Sequence, residues 1–173
     1  NTKLITMLCL GALIACSPSK KGLEPTSEQV SPRERLIENL RATPQKGIMF
    51  GHHDDTVYGI GWEFDEGGSD VQKVCGDYPA VISFDLGEIE LGGDKSLDKV
   101  PFEKIRKEII NQYNRGGLVS LSWHPRNPKT GGDAWDVSDH AVVKSILPEG
   151  ENYEKFQSWL GKVNDFILSL IHI

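Results

Sequence analysis

The sequence has few cysteines and no excess of positive charge. Its 173 residues include three cysteines, too few for a disulfide framework. Lys and Arg number 19 against 25 Asp and Glu, which gives a formal net charge of -6. Without a basic stripe to attract phosphates, nucleic acid is not expected as a partner. The hydrophobic content of 38% is ordinary for a globular domain.

The amino-terminal apolar run is too short to cross a bilayer. Residues 1–15 place one lysine before about twelve nearly uncharged residues, the length of a signal h-region. Residues 13–16, Leu-Ile-Ala-Cys, resemble the lipobox of bacterial lipoproteins, so we expect lipidation of Cys16; a plain signal peptide with an incidental cysteine is the alternative. Residues 16–30 are predicted to form a flexible tether. We therefore expect an exported protein, lipid-anchored to the cell envelope at the outer membrane or cell surface.

Two common catalytic motifs are missing. No G-x-S-x-G motif is present to support serine hydrolysis, and no glycine-rich loop joins a strand to a helix as a phosphate site requires. Cys75 could share a helical face with Val71 and Val74, so we predict a small buried hydrophobe and not a nucleophile.

Helical and strand patterns alternate along residues 31–173, which we interpret as the folded domain. Ser31, Pro32 and Glu34 form a capping-box signature for a first helix that Pro44 ends. A buried strand is predicted within 46–55, then a helix at 69–75, a strand within 79–88, a helix within 101–117, a strand within 118–125 and a helix within 152–170. This order predicts an α/β fold with parallel strands.

Apolar residues at helical spacing indicate which helix faces are buried. The predicted stripes are Leu36, Ile37 and Leu40 in the first helix, Phe102, Ile105, Ile109 and Tyr113 in the third, and Phe156, Trp159, Leu160, Val163, Phe166, Ile167 and Leu170 in the last.

Polar side chains follow each predicted strand at its carboxyl end, the edge where α/β proteins bind ligands. They are His52, His53, Asp54 and Asp55 after the first strand, Asp85 and Glu88 after the second, and His124 after the third. The spacing of Asp85 and Glu88 does not set two carboxyl groups on opposite sides of a scissile bond, so we interpret both as structural.

The histidines and aspartates of the first strand also suggest a metal. In a regular strand His52 could converge with Asp54, or His53 with Asp55, and zinc would need a third ligand such as Asp85 or His124. Substrate hydrogen bonding or strand-end structure is the favoured interpretation, so we assign no metal and no cofactor. A metal-dependent hydrolase using His52, Asp54 and His124 remains an alternative.

Two tryptophans, Trp62 and Trp135, lie in predicted loops beyond strand ends. Indole stacks well on the apolar face of a sugar ring, and exposed tryptophan is unfavourable unless something covers it. Either residue could instead cover its own loop. The surroundings of Trp135 favour sugar binding. Those of Trp62 favour neither sugar binding nor a structural role over its own loop.

Three segments in order, GIMFGHHDDTVYG, YPAVISFDLG and NRGGLVSLSWHPRNPKTGG followed by Trp135, resemble the amino-terminal part of glycoside hydrolase family 26. The resemblance covers about residues 32–170. It implies a (β/α)8 TIM barrel, of which about the first three βα units are present here, and hydrolysis of β-1,4-mannosidic bonds in mannan, glucomannan or galactomannan with retention of configuration. Some family members act on mixed-linkage glucan or xylan.

The resemblance also implies residue roles. His124 matches a histidine that contacts sugar beside the cleaved bond, Trp135 a sugar platform, and His52, His53 and Asp54 a motif that supports the site. The family's two catalytic glutamates lie on the fourth strand, after a histidine, and on the seventh; His172 is followed by Ile173. We therefore assign no catalytic residue and expect an inactive amino-terminal fragment of an endo-β-1,4-mannanase that is monomeric at full length. The alternative is a non-catalytic surface lipoprotein that binds glycan.

Overall fold

The computed structural model describes residues 30–171 and divides them into two units, the first ending at Ala42 and the second beginning at Thr43. The described part of the first unit is helix α1, Pro32–Ala42. The predicted signal peptide, residues 16–29 of the predicted tether, and Cys16 lie outside the described residues. No helix within 30–171 has the length and apolarity needed to cross a membrane.

Helix α1 begins with the predicted capping box. The Ser31 hydroxyl accepts a hydrogen bond from the Glu34 amide at 3.2 Å, and the Glu34 carboxylate accepts one from the Ser31 amide at 2.9 Å. These contacts satisfy amide groups that the first turn of a helix leaves unpaired. The predicted apolar stripe is not buried, because Leu36 and Leu40 are 46% and 40% exposed and α1 has no buried residue.

A three-stranded parallel sheet organises the second unit. The strands in this unit are β1 (Gly51–His53), β2 (Tyr58–Gly59), β3 (Trp62–Glu63), β4 (Val81–Asp85) and β5 (Leu118–Ser122). The helices are α2 (Asp70–Cys75), α3 (Phe102–Asn114), α4 (Val142–Ser145) and α5 (Tyr153–Leu168), with 3-10 helices at Thr43–Gln45 and Ile89–Leu91. The parallel sheet has the order β1-β4-β5, and β2 pairs with β3 in a short antiparallel hairpin. The predicted α/β fold is confirmed; β2, β3 and α4 were not predicted.

The core lies around the central strand β4, where Ile82 and Phe84 are fully buried. Phe102, Ile105 and Ile109 of α3 pack into the same cluster. Each such side chain contributes roughly 1.5–3 kcal/mol on burial. Besides the stripe of α1, four predictions of burial were wrong, and each failure has a local reason.

The first strand is exposed and not buried. β1 is only three residues long and all three are exposed, while Ile48 and Phe50 before it are 99% and 59% exposed. The reason is its position at the edge of the sheet, where β4 is its one partner strand among the described residues.

The exposure of two residues near helix ends also contradicts the predictions. Cys75 is exposed because α2 has six residues, none of them buried, and ends at Gly76 in the left-handed conformation. Tyr113 is 76% exposed, since α3 turns Gln112 inward in its place. The Gln112 amide donates hydrogen bonds to the carbonyls of Pro79 and Ala80 at 2.9 and 3.3 Å.

Helix α5 buries less of its apolar stripe than predicted. Trp159 is its one buried residue, while Val163 and Phe166 are partly buried against the core. Leu160 and Ile167 are 37% and 41% exposed. Among the described residues, the apolar stripe of α5 is wider than the part of the core that it packs against. The apolar side chains at the two sides of the stripe therefore stay accessible to solvent.

Candidate functional site

The carboxyl ends of the three parallel strands meet at one edge of the sheet. Hydrogen bonds continue past the regular strands, from the Asp54 amide to the Ser83 carbonyl at 2.9 Å and from the Leu86 amide to the Ser122 carbonyl at 2.8 Å. The residues that follow β1 and β4 are therefore held on a fixed backbone.

His124 is oriented by Asp85. The His124 Nδ1 atom lies 2.5 Å from Asp85 Oδ2, and the Ser122 hydroxyl donates to the same oxygen at 2.6 Å. An ionised carboxylate only accepts hydrogen bonds, so Nδ1 carries a hydrogen and Nε2 is the ring nitrogen not used by Asp85. Half of the His124 side chain is exposed. Its Nε2 can therefore meet a hydroxyl group from a ligand.

The Asp85 carboxylate is stabilised in its ionised form. Although burial acts to raise its pKa, hydrogen bonds from Ser122, the Gly87 amide and His124 together lower the pKa below its ordinary value. Gly87 donates at 2.6 Å to Asp85 Oδ1. A β-carbon at Gly87 would lie 2.7 Å from that oxygen and 3.0 Å from the His124 carbonyl, so this close approach requires glycine.

Trp135 lies directly against His124. The two rings are nearly parallel, with an angle of 10° and centroids 5.6 Å apart, and Trp135 is 66% exposed. The intervening loop is ordered by buried Asn127, whose side-chain carbonyl accepts from the amides of Lys129 and Thr130 and whose side-chain NH2 donates to the Asp136 carbonyl. An imidazole and an indole thus form one accessible surface at the sheet edge.

Buried Glu90 and partly buried Trp123 form a support that sequence reasoning missed. Glu90, 1% exposed, accepts from Trp123 Nε1 at 2.9 Å and from the Arg126 amide at 2.8 Å. Trp123 also stacks on Phe156 with centroids 5.8 Å apart. The one signal in the sequence is weak: Glu90 lies between Ile89 and Leu91, where a charged residue needs a partner to be buried.

The residues after β1 do not pair as a regular strand would place them. The strand ends at His53, and Asp54 adopts a positive φ of 55°. His52 instead donates through Nδ1 to the His53 carbonyl at 2.7 Å, while His53 Nε2 lies 3.3 Å from Asp54 Oδ2. Buried Asp55 accepts hydrogen bonds from the Ser69 hydroxyl and, at 3.2 Å, from the Val71 amide. It therefore supports the start of α2.

Asp54 is buried beside two groups that the sequence did not indicate, Asp98 and Tyr58. Burial raises the pKa of Asp54 to about 6, against the charge of His53 and with a contribution from Asp98. Burial and the charges of Asp54 and Asp98 raise the pKa of Tyr58 to about 12. Next to them is a cleft of about 350 Å³ lined by Tyr58, Glu63, Phe64, Lys95, Asp98 and Lys99.

Two other sequence candidates have internal partners. Trp62 donates through Nε1 to Asp70 at 2.7 Å and packs so closely on Gly68 that a β-carbon there would collide with its ring. Trp62 therefore covers its own loop. Glu88 accepts from the Arg126 guanidinium at 2.6 Å.

Comparison with known proteins gives consistent matches. A family model described as glycosyl hydrolase family 26 matches residues 25–171. A mannan endo-1,4-β-mannosidase from Bifidobacterium adolescentis is 30% identical over 132 residues, which are 74% of this chain and 13% of that protein. The structure of a GH26 β-mannanase from Bacteroides ovatus is 63% identical with a TM-score of 0.77, covering 78% of this chain and 39% of that one.

A third relative is more distant. The structure of a modular endo-β-1,4-mannanase from Cellulomonas fimi is 27% identical with a TM-score of 0.58, covering 70% of this chain and 28% of that one. The chain therefore spans well under half the length of these relatives.

Proposed function

The chain belongs to glycosyl hydrolase family 26, and from this membership we propose that the protein hydrolyses β-1,4-mannosidic bonds in mannan, glucomannan or galactomannan with retention of configuration. The fold is the α/β arrangement of the family's (β/α)8 barrel enzymes. The relatives from Bifidobacterium adolescentis and Bacteroides ovatus are both named for action on mannan. In this proposal the carboxyl edge of the parallel sheet forms one wall of the polysaccharide cleft.

The observation that carries the proposal is the exposed pair of His124 and Trp135. One face of the Trp135 indole is against His124, and the residue is still 66% exposed, which leaves surface for a sugar ring to stack on. His124, fixed by Asp85, offers Nε2 to a sugar hydroxyl beside the stacked ring. A flat apolar surface next to a single oriented polar atom suits a pyranose.

The catalytic carboxylates are proposed to lie outside the described residues. Family resemblance assigns the two catalytic glutamates to the fourth and seventh strands of the barrel. The glutamates near this sheet edge are engaged otherwise, because Glu88 pairs with Arg126 and Glu90 is buried beneath Trp123. We propose that the 173-residue chain alone binds mannan and does not cleave it.

Calorimetric titration of the 173-residue chain with mannohexaose tests the proposal. We expect binding that Trp135→Ala and His124→Ala each weaken by about tenfold, equivalent to about 1.4 kcal/mol. Tyr113→Ala, which removes an exposed aromatic ring from α3, is the matched control and should leave the affinity unchanged. The same chain should release no reducing sugar from galactomannan.

Three results would contradict parts of the proposal. If neither Trp135→Ala nor His124→Ala changed the affinity for mannohexaose, His124 and Trp135 would not be part of the binding surface. Release of reducing sugar by the chain alone would refute its inactivity. Mannan binding without hydrolysis by the product of the entire reading frame would favour the non-catalytic glycan-binding alternative.

We also propose that Cys16 is lipidated and anchors the protein to the bacterial envelope, with the acidic domain facing outward and the full-length protein monomeric. The support is the lipobox-like sequence at residues 13–16. Labelled palmitate should enter the wild-type protein in cells and not the Cys16→Ser variant. Equal labelling of both would refute the anchor.

A further inference from the structure

Three side chains from two separate segments meet beside the end of β1. A ring nitrogen of His53 and carboxylate oxygens of Asp54 and Asp98 all lie within 4.8 Å of one another. Among residues 30–171, these three side chains form the one group of His, Cys, Asp or Glu residues close enough to share a metal ion. It differs from the set considered from the sequence, since neither His52 nor His124 belongs to it and Asp98 comes from the loop before α3.

The buried member of this group has an unsatisfied oxygen. Asp54 is 1% exposed, and its Oδ1 atom has no hydrogen-bond partner. The hydroxyl of Thr56, two residues further on, is likewise buried without a partner. Buried carboxylates are normally hydrogen-bonded, paired with a cation or bound to a metal. The Asp54 carboxylate is in contact with His53, whose Nε2 atom lies 3.3 Å from Oδ2, and with the Tyr58 hydroxyl, but neither contact satisfies Oδ1.

We propose that His53, Asp54 and Asp98 bind one divalent transition-metal cation, with Zn²⁺ the best match. One imidazole nitrogen and two carboxylate oxygens are a donor set that suits zinc, whereas Ca²⁺ and Mg²⁺ prefer oxygen ligands alone. Two carboxylates also balance the charge of a divalent cation. Water would complete the coordination shell.

The geometry needs only a local adjustment. Ligand atoms about 2.0–2.2 Å from a tetrahedral zinc lie roughly 3.4 Å apart. The 3.3 Å separation of His53 Nε2 and Asp54 Oδ2 already has this value. Asp98 is exposed, so its side chain can rotate and approach from its present position within 4.8 Å of the other two ligand atoms, a movement of at most about 1.4 Å.

The cation would join two segments that border the carboxyl edge of the sheet. His53 and Asp54 end β1, and Asp98 lies in the loop that also supplies Lys95 and Lys99 to the 350 Å³ cleft. Lys99 is directed to another carboxylate, with its Nζ 4.0 Å from Glu88. The inferred role of the metal is structural: it would fix this loop beside the cleft without contacting His124 or Trp135.

Titration of the metal-free 173-residue chain with ZnCl₂ tests the inference, with bound zinc measured by calorimetry and by elemental analysis after dialysis. We expect one equivalent per chain, and an affinity reduced at least about tenfold by His53→Gln and by Asp98→Asn. His52→Gln and Asp94→Asn, which change a neighbouring histidine and an exposed aspartate of the same loop, are matched controls and should bind normally.

Substitution with Co²⁺ gives a second readout, because its visible absorption reports nitrogen coordination and the number of ligands. The bands should appear in the wild-type chain and be lost in His53→Gln. No stoichiometric zinc, or equal binding by the wild type and both ligand variants, would overturn the inference. Equal loss in His52→Gln would place the metal on a different set of residues.

Discussion

His124 takes its orientation from a carboxylate that solvent barely reaches. Asp85 is 2% exposed, and its Oδ2 atom accepts from both Ser122 and His124 while Oδ1 accepts from the Gly87 amide. Hydrogen bonds to a charged group contribute roughly 1.5–3 kcal/mol each. The carboxylate therefore stabilises the strand end as well as the position of the imidazole.

Replacing Asp85 with Asn should destabilise the chain and alter its response to acid. The lowered pKa of Asp85 means that its carboxylate stabilises the folded state above the ordinary aspartate pKa, near 3.9, and that this stabilisation is lost as pH falls through the lower folded-state pKa. Asp85→Asn should lower the free energy of unfolding by about 1–3 kcal/mol near neutral pH. It should also flatten the decline of stability below about pH 4.

Urea unfolding at a series of pH values measures both effects. Asp94→Asn is the control, since it removes the same charge from an exposed position in a nearby loop. If the free energy of unfolding of Asp85→Asn declined with falling pH as it does in the wild type, the contacts of Asp85 with Ser122 and His124 would not be what lowers its pKa.

The sequence predicted the neighbourhood of His124 and Asp85 because parallel strands end at a common edge. It could not predict the contact between them, nor the approach of Trp135, because these depend on the path of the loop that Asn127 orders. Asp98 was missed for the same reason: it follows no strand, and only the folded loop brings it to Asp54.

At the scale of elements, α3 and β4 are joined by a side chain that breaks the amphipathic pattern of the helix. Gln112 is 1% exposed, donates to the Pro79 carbonyl at 2.9 Å and accepts from Arg115 Nε at 3.2 Å.

The longer helices were predictable from the sequence because their capping residues and their apolar spacing agree. The two-residue strands β2 and β3 and the four-residue helix α4 are too short to have a periodicity.

Gln112→Leu should destabilise the contact of α3 with β4 although it adds apolar surface. Leucine is close in size, but it leaves the Pro79 carbonyl without its donor, and an unpaired buried polar group costs about 1–3 kcal/mol. The variant should therefore unfold at a lower urea concentration than the wild type. Asn114→Leu, an exposed change in the same helix, is the control. Equal or greater stability of Gln112→Leu would mean that apolar packing outweighs the hydrogen bonds.

At the scale of the whole molecule, the sheet of the second unit has two open edges. β1 and β5 each pair only with β4 among residues 30–171. The apolar side chains leading into β1 are accessible, with Ile48 99% and Phe50 59% exposed. Unpaired strand edges next to apolar side chains promote association between chains.

We therefore expect the 173-residue chain to self-associate through the β1 edge. Sedimentation velocity should show an average mass that rises with concentration, and the double substitution of Ile48→Lys and Phe50→Lys should shift it toward the monomer, because charge on an edge opposes strand pairing. Val137→Lys, at a residue 78% exposed and remote in sequence from β1, is the control and should associate like the wild type. A chain that sediments as a monomer at all concentrations would contradict the expectation. If Val137→Lys reduced self-association as much as the double substitution, the effect would come from net charge and not from the β1 edge.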